Sequence, residues 1–557
     1  MKKNQLLLII IFFISCSSSP FIEPIIKNKK EKEVLTETYY IDTDLGNDSN
    51  LGTSPNQAWK SLDHINNQKF GPNAKILFKS GQRWQGNLSP KGTGKENKVI
   101  TIGKYGEGDR PAIDGNGVPN AIHLNNMEYI VLRDLEITNY DSYEEGGLSL
   151  NDWEKKNIID WAIIDNPNQH IANNKIKTGV RISAQDIGEA SHIHLLNLEV
   201  HGINGAIDQS KESTKNNGGI FIEITGNNIP TWFNNLKIED CYIHDVDRTG
   251  LSNVSSWSNR SFSSNDNWKP SKNYVIRNNT FERSGANALI VRVAVNPLIE
   301  HNTFYQNGIK ASGNAAFNFN TDGALWQFNE ASFTKKNKND ADAGGIDSDY
   351  KSKNTIIQYN YLHDNDFGML VTGGPKKSDG SNFNDSTIIR YNIFERDGLV
   401  KRDGESAFIF KIGGNATNTF VHNNIFYISD GQGMVDIVYH RNWSGYPNNS
   451  YYFNNIFYLE GDNHSYNLTN STNTVFINNI FFGSSSIKWP AGERNIFEDP
   501  LFINPGNGFE GYKIKATSPA MGRGLRLQNI LFPLNDFYNN PINPAIIPDI
   551  GVHQYNH

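Results

Sequence analysis

The sequence has almost none of the residues that cross-link small secreted domains: 557 residues include two cysteines, Cys16 and Cys241. With Cys16 expected to be modified, no intrachain disulfide is left for the mature chain. Charge of one sign is not concentrated either, because 52 Lys and Arg stand against 59 Asp and Glu, for a net charge of −7. This balance argues against a nucleic-acid partner, which would require a clustered basic face. No Cys/His pattern has zinc spacing, so we expect no metal ligand set.

Long apolar runs are absent beyond the N-terminus, where Leu6–Phe13 is too short to span a membrane as a mature helix. The run ends in Phe13-Ile14-Ser15-Cys16, which resembles a bacterial lipobox with Cys16 as the lipidated residue. The expected location is the cell envelope, at the outer-membrane surface or in the periplasm, with the lipid as the only membrane contact. We predict a signal peptide (1–15), a flexible tether (16–38) and one domain (39–557) that ends in a Pro-rich capping segment (496–557).

A six-residue phrase recurs along the chain: an aliphatic residue, two others, Asn, one more, then an aromatic or aliphatic residue, as in Ile276–Phe281. The spacing runs from 23 residues (Asn279 to Asn302) to 32 residues (Asn392 to Asn424). Earlier, degenerate copies place Leu135, Leu198 and Cys241 at the Asn position. The Asn copies are Asn279, Asn302, Asn360, Asn392, Asn424, Asn455 and Asn479.

This repeat is typical of a solenoid, and apolar and polar residues alternate within each copy with the period of a strand. No helical stretch lies between copies that could form a βαβ crossover. We therefore predict an all-β fold, a single-stranded right-handed parallel β-helix with capped ends, long loops on one side and an asparagine ladder at one corner. A short helix is expected between Ser54 and Ile65. The largest insertions are 141–177, 204–232 and 249–272, and their tryptophans (Trp153, Trp161, Trp232, Trp257, Trp268) either stack on sugars or pin the loops to the coils.

The chain resembles the secreted right-handed parallel β-helix carbohydrate-active proteins of polysaccharide-degrading bacteria. The resemblance rests on Tyr40-Ile41-Asp42 with the Gly- and Asn-rich stretch after it, on the Asn repeats, and on Ser518-Pro519-Ala520 with Pro548–Gly551. It implies an extracellular enzyme with a polysaccharide or oligosaccharide substrate. That group contains hydrolases, lyases and epimerases, so the reaction has to be argued from the site.

Acidic residues in the central coils suggest hydrolysis. Asn320-Thr321-Asp322 resembles the Asn-Thr-Asp motif of polygalacturonases, and Asp347 and Asp349 follow one coil later, two residues apart and thus on one strand face. Carboxylates on adjacent coils can serve as the acid and the base of a glycoside hydrolase. The other polygalacturonase motifs are missing, so the resemblance does not extend to that activity. Ca²⁺ binding and turn formation are the alternative roles for these acids; no cofactor is required.

Two cations within apolar strands, Arg292 and Lys411, suggest a different chemistry. A desolvated Lys411 could act as the base of a β-eliminating polysaccharide lyase, while Arg292 neutralises a uronate. In a hydrolase, both could bind an anionic group of the substrate. Further candidates for substrate binding are Trp326, Glu330, His363, His440 and Arg441.

The sequence thus predicts a monomeric glycoside hydrolase with Asp322, Asp347, Asp349 and Lys411 as catalytic candidates. A polysaccharide lyase and a non-catalytic glycan-binding lipoprotein are the alternatives. His201 and His244, which end two strands at matching places, are interpreted as a stacked surface column.

Overall fold

A computed structural model describes residues 33–162, 175–208, 211–337, 342–400, 407–462, 464–526 and 532–555. The described residues from Val34 onward belong to one compact unit. Cys16 and most of the predicted tether lie outside the described residues. The last part of that tether contributes to the fold, since Val34–Leu35 pairs with Lys69–Phe70 as a parallel strand.

Within the described ranges the chain forms 45 strands, most of them short. Strands β1 to β15 are Val34–Leu35, Thr38–Ile41, Lys69–Phe70, Lys75–Lys79, Arg83–Gln85, Lys91–Gly92, Ile100–Tyr105, Ala112–Asp114, Asn120–Asn125, Ile130–Arg133, Glu136–Thr138, Thr178–Gln185, Glu189–Leu196, Glu199–Ile203 and Gly218–Thr225. Strands β16 to β30 are Trp232–Glu239, Tyr242–Val246, Thr249–Ser255, Ser258–Asn259, Asn267–Trp268, Lys272–Arg277, Thr280–Ser284, Leu289–Val295, Leu298–Glu300, Thr303–Tyr305, Ala316–Asp322, Leu325–Gln327, Glu330–Ser332, Ile346–Ser348 and Ser352–Lys353. Strands β31 to β45 are Ile356–Gln358, Tyr361–His363, Met369–Gly374, Asn384–Asp385, Ile388–Arg390, Ile393–Glu395, Phe408–Gly414, Ala416–His422, Ile425–Ile428, Asp436–Arg441, Asn448–Phe453, Ile456–Leu459, Ser465–Asn467, Thr472–Ile477 and Ile480–Gly483.

Helices are few and short. The α-helices are α1 (Leu62–Asn66) and α2 (Leu150–Ala162), and the 3₁₀ turns are Pro55–Gln57, Ser142–Glu145, Glu212–Asn216 and Phe509–Tyr512. None of the helices in the described part of the chain has the length and apolar character that crossing a bilayer needs.

The strands wind into a right-handed parallel β-helix with three faces, which confirms the predicted fold. The first face stacks β9, β12, β15, β18, β23, β26, β29, β33, β37, β40 and β43. The second face stacks β2, β4, β7, β10, β13, β16, β21, β24, β27, β31, β35, β38, β41 and β44. The third face stacks β5, β8, β11, β14, β17, β22, β25, β28, β32, β36, β39, β42 and β45. All these pairings are parallel, so side chains at the same register position stack from coil to coil.

The corner between the second and third faces holds the predicted asparagine ladder. Each rung accepts hydrogen bonds from the backbone N–H and side-chain amide of the preceding rung, as Asn392 does from Asn360 at 2.9 and 3.0 Å. The structure adds two rungs that the repeat pattern missed, Asn329 and Asn495. Asn329 was hidden because Trp326 and Ala331 stand where the phrase has an aliphatic and an aromatic residue.

The core is filled by inward side chains that stack on their equivalents in the next coil. Phe394, Phe426, Phe457 and Phe481 form one such column, with ring centroids 4.7 to 5.0 Å apart. Burying each ring contributes roughly 2 to 3 kcal/mol, so a run of like residues at one register position stabilises the coils cooperatively.

The ends are covered in different ways. The Pro55–Gln57 turn and α1 lie in the segment predicted to be helical. At the C-terminus, Phe502, Tyr512 and Ile550 pack on the outward Ile425 and Ile456, so this segment covers the flank of the third face along its last coils.

Insertions concentrate where the third face leads into the first, at 139–177, 204–217 and 333–345. The tryptophans of the early loops serve the fold: Trp153 is buried against Tyr140, and Trp268 is buried beneath the guanidinium of Arg260. This packing favours the second interpretation of the tryptophans, in which they hold the loops against the coils. Because these insertions precede first-face strands, they bring polar side chains onto that face.

Candidate active site

A cleft of about 360 Å³ lies on the first face, across β29, β33, β37 and β40. The register of these strands aligns Asp347 with Leu370 of the next coil, and Leu370 with Lys411 of the coil after it. The residues that line the cleft are Lys215, Asp342, Asp347, Asp349, Tyr350, Leu370, Thr372, Lys411, Gly413, Arg441 and Trp443.

Strand alternation explains how two acids reach this cleft from one coil. Ile346 and Ser348 are fully buried, while Asp347 and Asp349 face outward and both line the cleft. Outward acids on a strand are ordinarily solvated, but Asp347 is only 4% exposed and Asp349 lies within the same cleft. The predicted common face of this pair is therefore observed.

A third carboxylate, Asp342, lines the same cleft and was not among the predicted residues. It lies in the insertion that joins the third face to β29, five residues before Asp347. A signal was present in the sequence, because loops at this corner of a solenoid build its binding face and this loop is rich in Asp.

Asp347 is the deepest of the three acids, with 4% of its surface exposed. Asn314 of the preceding coil donates a hydrogen bond to its Oδ2 (3.1 Å), and Thr372 lies 3.5 Å from the same oxygen. Its other oxygen, Oδ1, is buried and has no hydrogen-bond partner in the described structure. Burial, together with the neighbouring Asp349 and Asp342, raises the pKa of Asp347 well above its usual range.

Asp349 is less buried and follows the end of β29, where its Oδ1 accepts a hydrogen bond from the N–H of Tyr350 (2.7 Å). Burial raises the pKa of this carboxyl to about 7, although the Tyr350 hydrogen bond and the charges of Lys215 and Arg292 lower it. A carboxyl pair with raised pKa values can hold one proton near neutral pH, which is what an acid and base pair requires.

The raised pKa values of Asp347 and Asp349 predict that the contribution of these two groups to stability falls as pH rises. Between the ordinary carboxyl pKa and the raised folded values, the folded chain binds more protons than the unfolded chain, so the free energy of unfolding decreases with pH. Asp347→Asn removes this penalty and keeps the shape. We expect its melting temperature to exceed that of wild type at about pH 8 and to match it near about pH 4. Thermal melts across this range test it, with Glu96→Gln, which removes an exposed carboxylate, as the control. Equal curves for the two variants would contradict it.

Basic and aromatic side chains form the remainder of the cleft. Lys411 is nearly buried, with its Nζ 4.7 Å from the ring centroid of Phe408, and its charge lowers the pKa of Asp347. Trp443 is 41% exposed and meets Tyr350 edge to face at 6.4 Å. An exposed indole beside hydrogen-bonding groups suits a sugar ring, which has both an apolar face and polar edges.

The structure places Asp322 away from this cleft. Its carboxylate pairs with the buried Arg260 (2.7 Å) and accepts a hydrogen bond from Asn354 (2.8 Å). Asp322 is therefore a partner in a structural ion pair, and the resemblance of Asn320-Thr321-Asp322 to the polygalacturonase motif does not extend to its position.

Other predicted binding residues belong to the core or to another face. Trp326 is fully buried and donates to Asn318, while His440 is fully buried and meets the Tyr452 hydroxyl at 2.8 Å. Neither can contact a ligand in the cleft. Glu330 and His363 pair with each other on the third face (3.1 Å).

Arg292 and Arg441 were predicted to bind an anion of the substrate. Arg441 lines the cleft. Arg292 is not among the residues that line it: its guanidinium pairs with Glu212 (3.0 Å) and donates to the backbone oxygen of Asn253 (3.2 Å). Its charge lowers the pKa of Asp349. The Asp342, Asp347 and Asp349 oxygens are also the ligand type that Ca²⁺ prefers, so this trio is where such an ion would be held.

No profile of a known protein family matches the chain. A lacto-N-biosidase of Bifidobacterium longum subsp. longum is 25% identical over an alignment of 543 residues, which covers 84% of this chain and 31% of that protein. The chain thus spans about a third of the length of this curated relative. Among solved structures, the GH136 lacto-N-biosidase from Eubacterium ramulus superposes with a TM-score of 0.54 at 18% identity, covering 80% of this chain and 68% of that one. This likeness shows the fold.

Proposed function

We propose that the protein is an extracellular glycoside hydrolase and that the first-face cleft is its active site. The observation that carries the proposal is the convergence of Asp342, Asp347 and Asp349, with raised pKa values at the latter two. Hydrolysis of a glycosidic bond needs one protonated carboxyl and one carboxylate within a few ångströms of the scissile bond.

The arrangement suggests how the roles are divided. Asp342 precedes β29 and Asp349 follows it, and both are more exposed than Asp347. They can therefore lie on either side of a bound sugar. Asp347 lies between them in sequence and deeper in the cleft, held by Asn314. We assign Asp342 and Asp349 to the acid and nucleophile or base roles, and Asp347 to holding a proton that controls their charge.

The relatives support a glycosidase and suggest the first substrate to test. The B. longum protein is a lacto-N-biosidase, so a glycan ending in lacto-N-biose is the first compound to assay. The cationic side chains Lys215, Lys411 and Arg441 line the same cleft and would bind sulfate or carboxylate groups. The panel of test substrates therefore also includes acidic polysaccharides.

Product analysis tests the proposal. We expect new reducing ends without ultraviolet absorbance from at least one glycan of the panel. If reducing ends and the absorbance of an unsaturated uronate rise together, the enzyme is a lyase and not a hydrolase, with Lys411 as its base. Tight glycan binding without products would indicate a non-catalytic binding protein.

Asn314 is a positioning residue in this proposal. Its amide donates to Asp347, and its Oδ1 accepts from the N–H of Gly344 (2.8 Å), two residues after Asp342. It therefore links the strand acid to the loop acid. We expect Asn314→Ala to lower kcat by about 10- to 100-fold with little change in KM, and to shift the pH profile, because a small misplacement of catalytic groups costs that much. A rise in KM alone would contradict this role.

The setting of the enzyme is part of the proposal. A signal peptide over 1–15 and lipidation at Cys16 would place it in the cell envelope. We also propose that it acts there as a monomer. Labelling with a radioactive fatty acid in wild type and Cys16→Ser tests the anchor, and loss of the label in the variant is the expected result.

A further inference from the structure

A second cavity, of about 620 Å³, adjoins the candidate active site. It lies where first-face strands lead into second-face strands, in the coils that contain β33, β37, β40 and β43. The residues that line it are Lys376, Asn415, Thr417, Asn442, Ser444, Gly445, Tyr446, Asn448 and Thr472. None of the residues to which the proposed reaction assigns a role is among them.

Neighbouring residues of the chain border both cavities. Gly413 lines the cleft, and Asn415, two residues later, lines the second cavity. On the following coil, Trp443 lines the cleft, whereas Ser444 lines the second cavity. The ends of β37 and β40 therefore lie between the two cavities, and a chain of sugars bound in the cleft can continue into the second one.

Hydrogen bonds fix the half-buried residues of the second cavity. The N–H of Asn415 donates to the Gly374 carbonyl oxygen (2.9 Å), and its side-chain amide donates to the carbonyl oxygen of Asn382 (2.8 Å). The Oδ1 of Asn448 accepts from the Thr472 hydroxyl (2.8 Å). In the described part of the chain, the Oδ1 of Asn415 and the side-chain amide of Asn448 form no hydrogen bond. Both groups can therefore bind a ligand without being reordered.

The rim of the second cavity is built by the loops that follow β33 and β40. The N–H of Lys376 donates to the Ser444 carbonyl oxygen (3.1 Å), which joins these two loops. Gly445 permits their close approach, since a Cβ at this position would lie 3.2 Å from the Cβ of Lys376. Tyr446 is 51% exposed beside them. The rim thus presents an ammonium group, a hydroxyl and a phenol ring to a ligand.

The lining suits the recognition of sugars and not the cleavage of their bonds. Side-chain amides and hydroxyls offer both donors and acceptors, which is what the ring hydroxyls of a sugar require, and the exposed phenol ring adds an apolar surface. The described lining residues include neither a carboxylate nor an imidazole, so they provide no acid and base pair for hydrolysis.

We propose that the second cavity is a binding subsite for the sugar units that lie beyond the cleaved bond. The inference rests on the proposed function of the cleft and defines its substrate class as a glycan chain longer than the cleft, with hydroxyl-rich units at its far end. Such a chain would contact Trp443 in the cleft and Asn415, Asn442 and Tyr446 beyond it. Contacts remote from the reacting bond act equally before and during the reaction, so they lower KM and leave kcat unchanged.

Calorimetry in the inactive Asp349→Asn background tests the proposal. The probes are lacto-N-biose, a six-sugar glycan that ends in it, and two- and six-sugar fragments of the acidic polysaccharides. For at least one pair, we expect the long probe to bind about 10-fold more tightly than the short one, and Asn442→Ala/Tyr446→Ala to remove this gain. Tyr143→Ala, which removes a phenol ring 89% exposed outside both cavities, is the control and should keep the gain.

Kinetics with the active enzyme provide a second readout. On the long glycan, Asn442→Ala/Tyr446→Ala should raise KM about 10-fold at unchanged kcat, and on the shortest cleaved glycan it should change neither constant. Both side chains are exposed, so the variant should fold, and each single variant replaces it if it does not.

Two results would overturn the subsite. One is an affinity that does not depend on glycan length in any pair of probes, and the other is a length-dependent gain that survives Asn442→Ala/Tyr446→Ala. A gain that this variant abolishes, in a protein whose wild type releases no products, would support the second cavity as a glycan subsite and count against the hydrolase alone.

Discussion

If the proposed hydrolase is right, Asp349→Asn is expected to lower kcat/KM on the cleaved glycan by at least about 1000-fold, because the proposed reaction loses a carboxylate that acts directly on the bond being broken. The amide keeps the size and the hydrogen bond from Tyr350, so the variant should fold and bind substrate with little change in affinity. Initial rates from reducing-end release, with glycan binding measured by calorimetry, separate these two effects.

The variants of the neighbouring acids sharpen this prediction. Asp342→Asn is expected to show a loss of similar size, whereas Asp347→Asn should mainly shift the pH profile and lower the rate less. Glu330→Gln, which removes an outward carboxylate of the third face, should retain full activity. Full activity in Asp349→Asn would show that the reaction does not take place in this cleft. If Asp322→Asn lost activity without losing stability, the catalytic residues would instead lie in the polygalacturonase-like motif.

The fold was predictable from the sequence because its signal is local and repeated. Each ladder position is read from a six-residue phrase, and the same phrase supplies the alternation that separates inward from outward side chains. The phrase missed a ladder position where the core accepts a different residue. Asn329 belongs to the ladder, although Trp326 fills the core in place of the aliphatic residue that begins the phrase. Trp326 itself was predicted to face a sugar, which local sequence could not exclude.

The site was predictable only in part because it combines register with loop placement. Asp347 and Asp349 share a face by strand alternation, and Lys411 joins them through the parallel register two coils on. Asp342 and Trp443 lie in loops whose lengths vary between coils. The spacing of the repeats therefore could not predict their positions in the cleft. Arg292 shows the converse: its strand position was evident, but its pairing with Glu212 depends on an insertion.

Asn360→Ala is expected to lower the free energy of unfolding by about 3 to 5 kcal/mol, which is large for one side chain. The Asn360 Oδ1 accepts from both the backbone N–H and the side-chain amide of Asn329 (3.0 and 2.9 Å). Its own amide donates to the Trp326 and Gln358 carbonyl oxygens and to Asn392. Alanine leaves two donors of Asn329 unpaired in a fully buried corner, where water cannot replace the lost acceptor.

A second asparagine stack supplies the matched control. Asn449 donates to Asn418 (3.1 Å) and accepts from Asn473 (3.2 Å), but this stack is partly exposed and Asn449 has a φ of 56°. Asn449→Gly keeps that backbone conformation, and water can bond to the groups it leaves, so we expect a cost within about 1 kcal/mol. Guanidinium unfolding followed by circular dichroism measures both variants. Equal costs would mean that the buried ladder stabilises the coils no more than a surface stack does, and that their stability comes from the stacked apolar core alone.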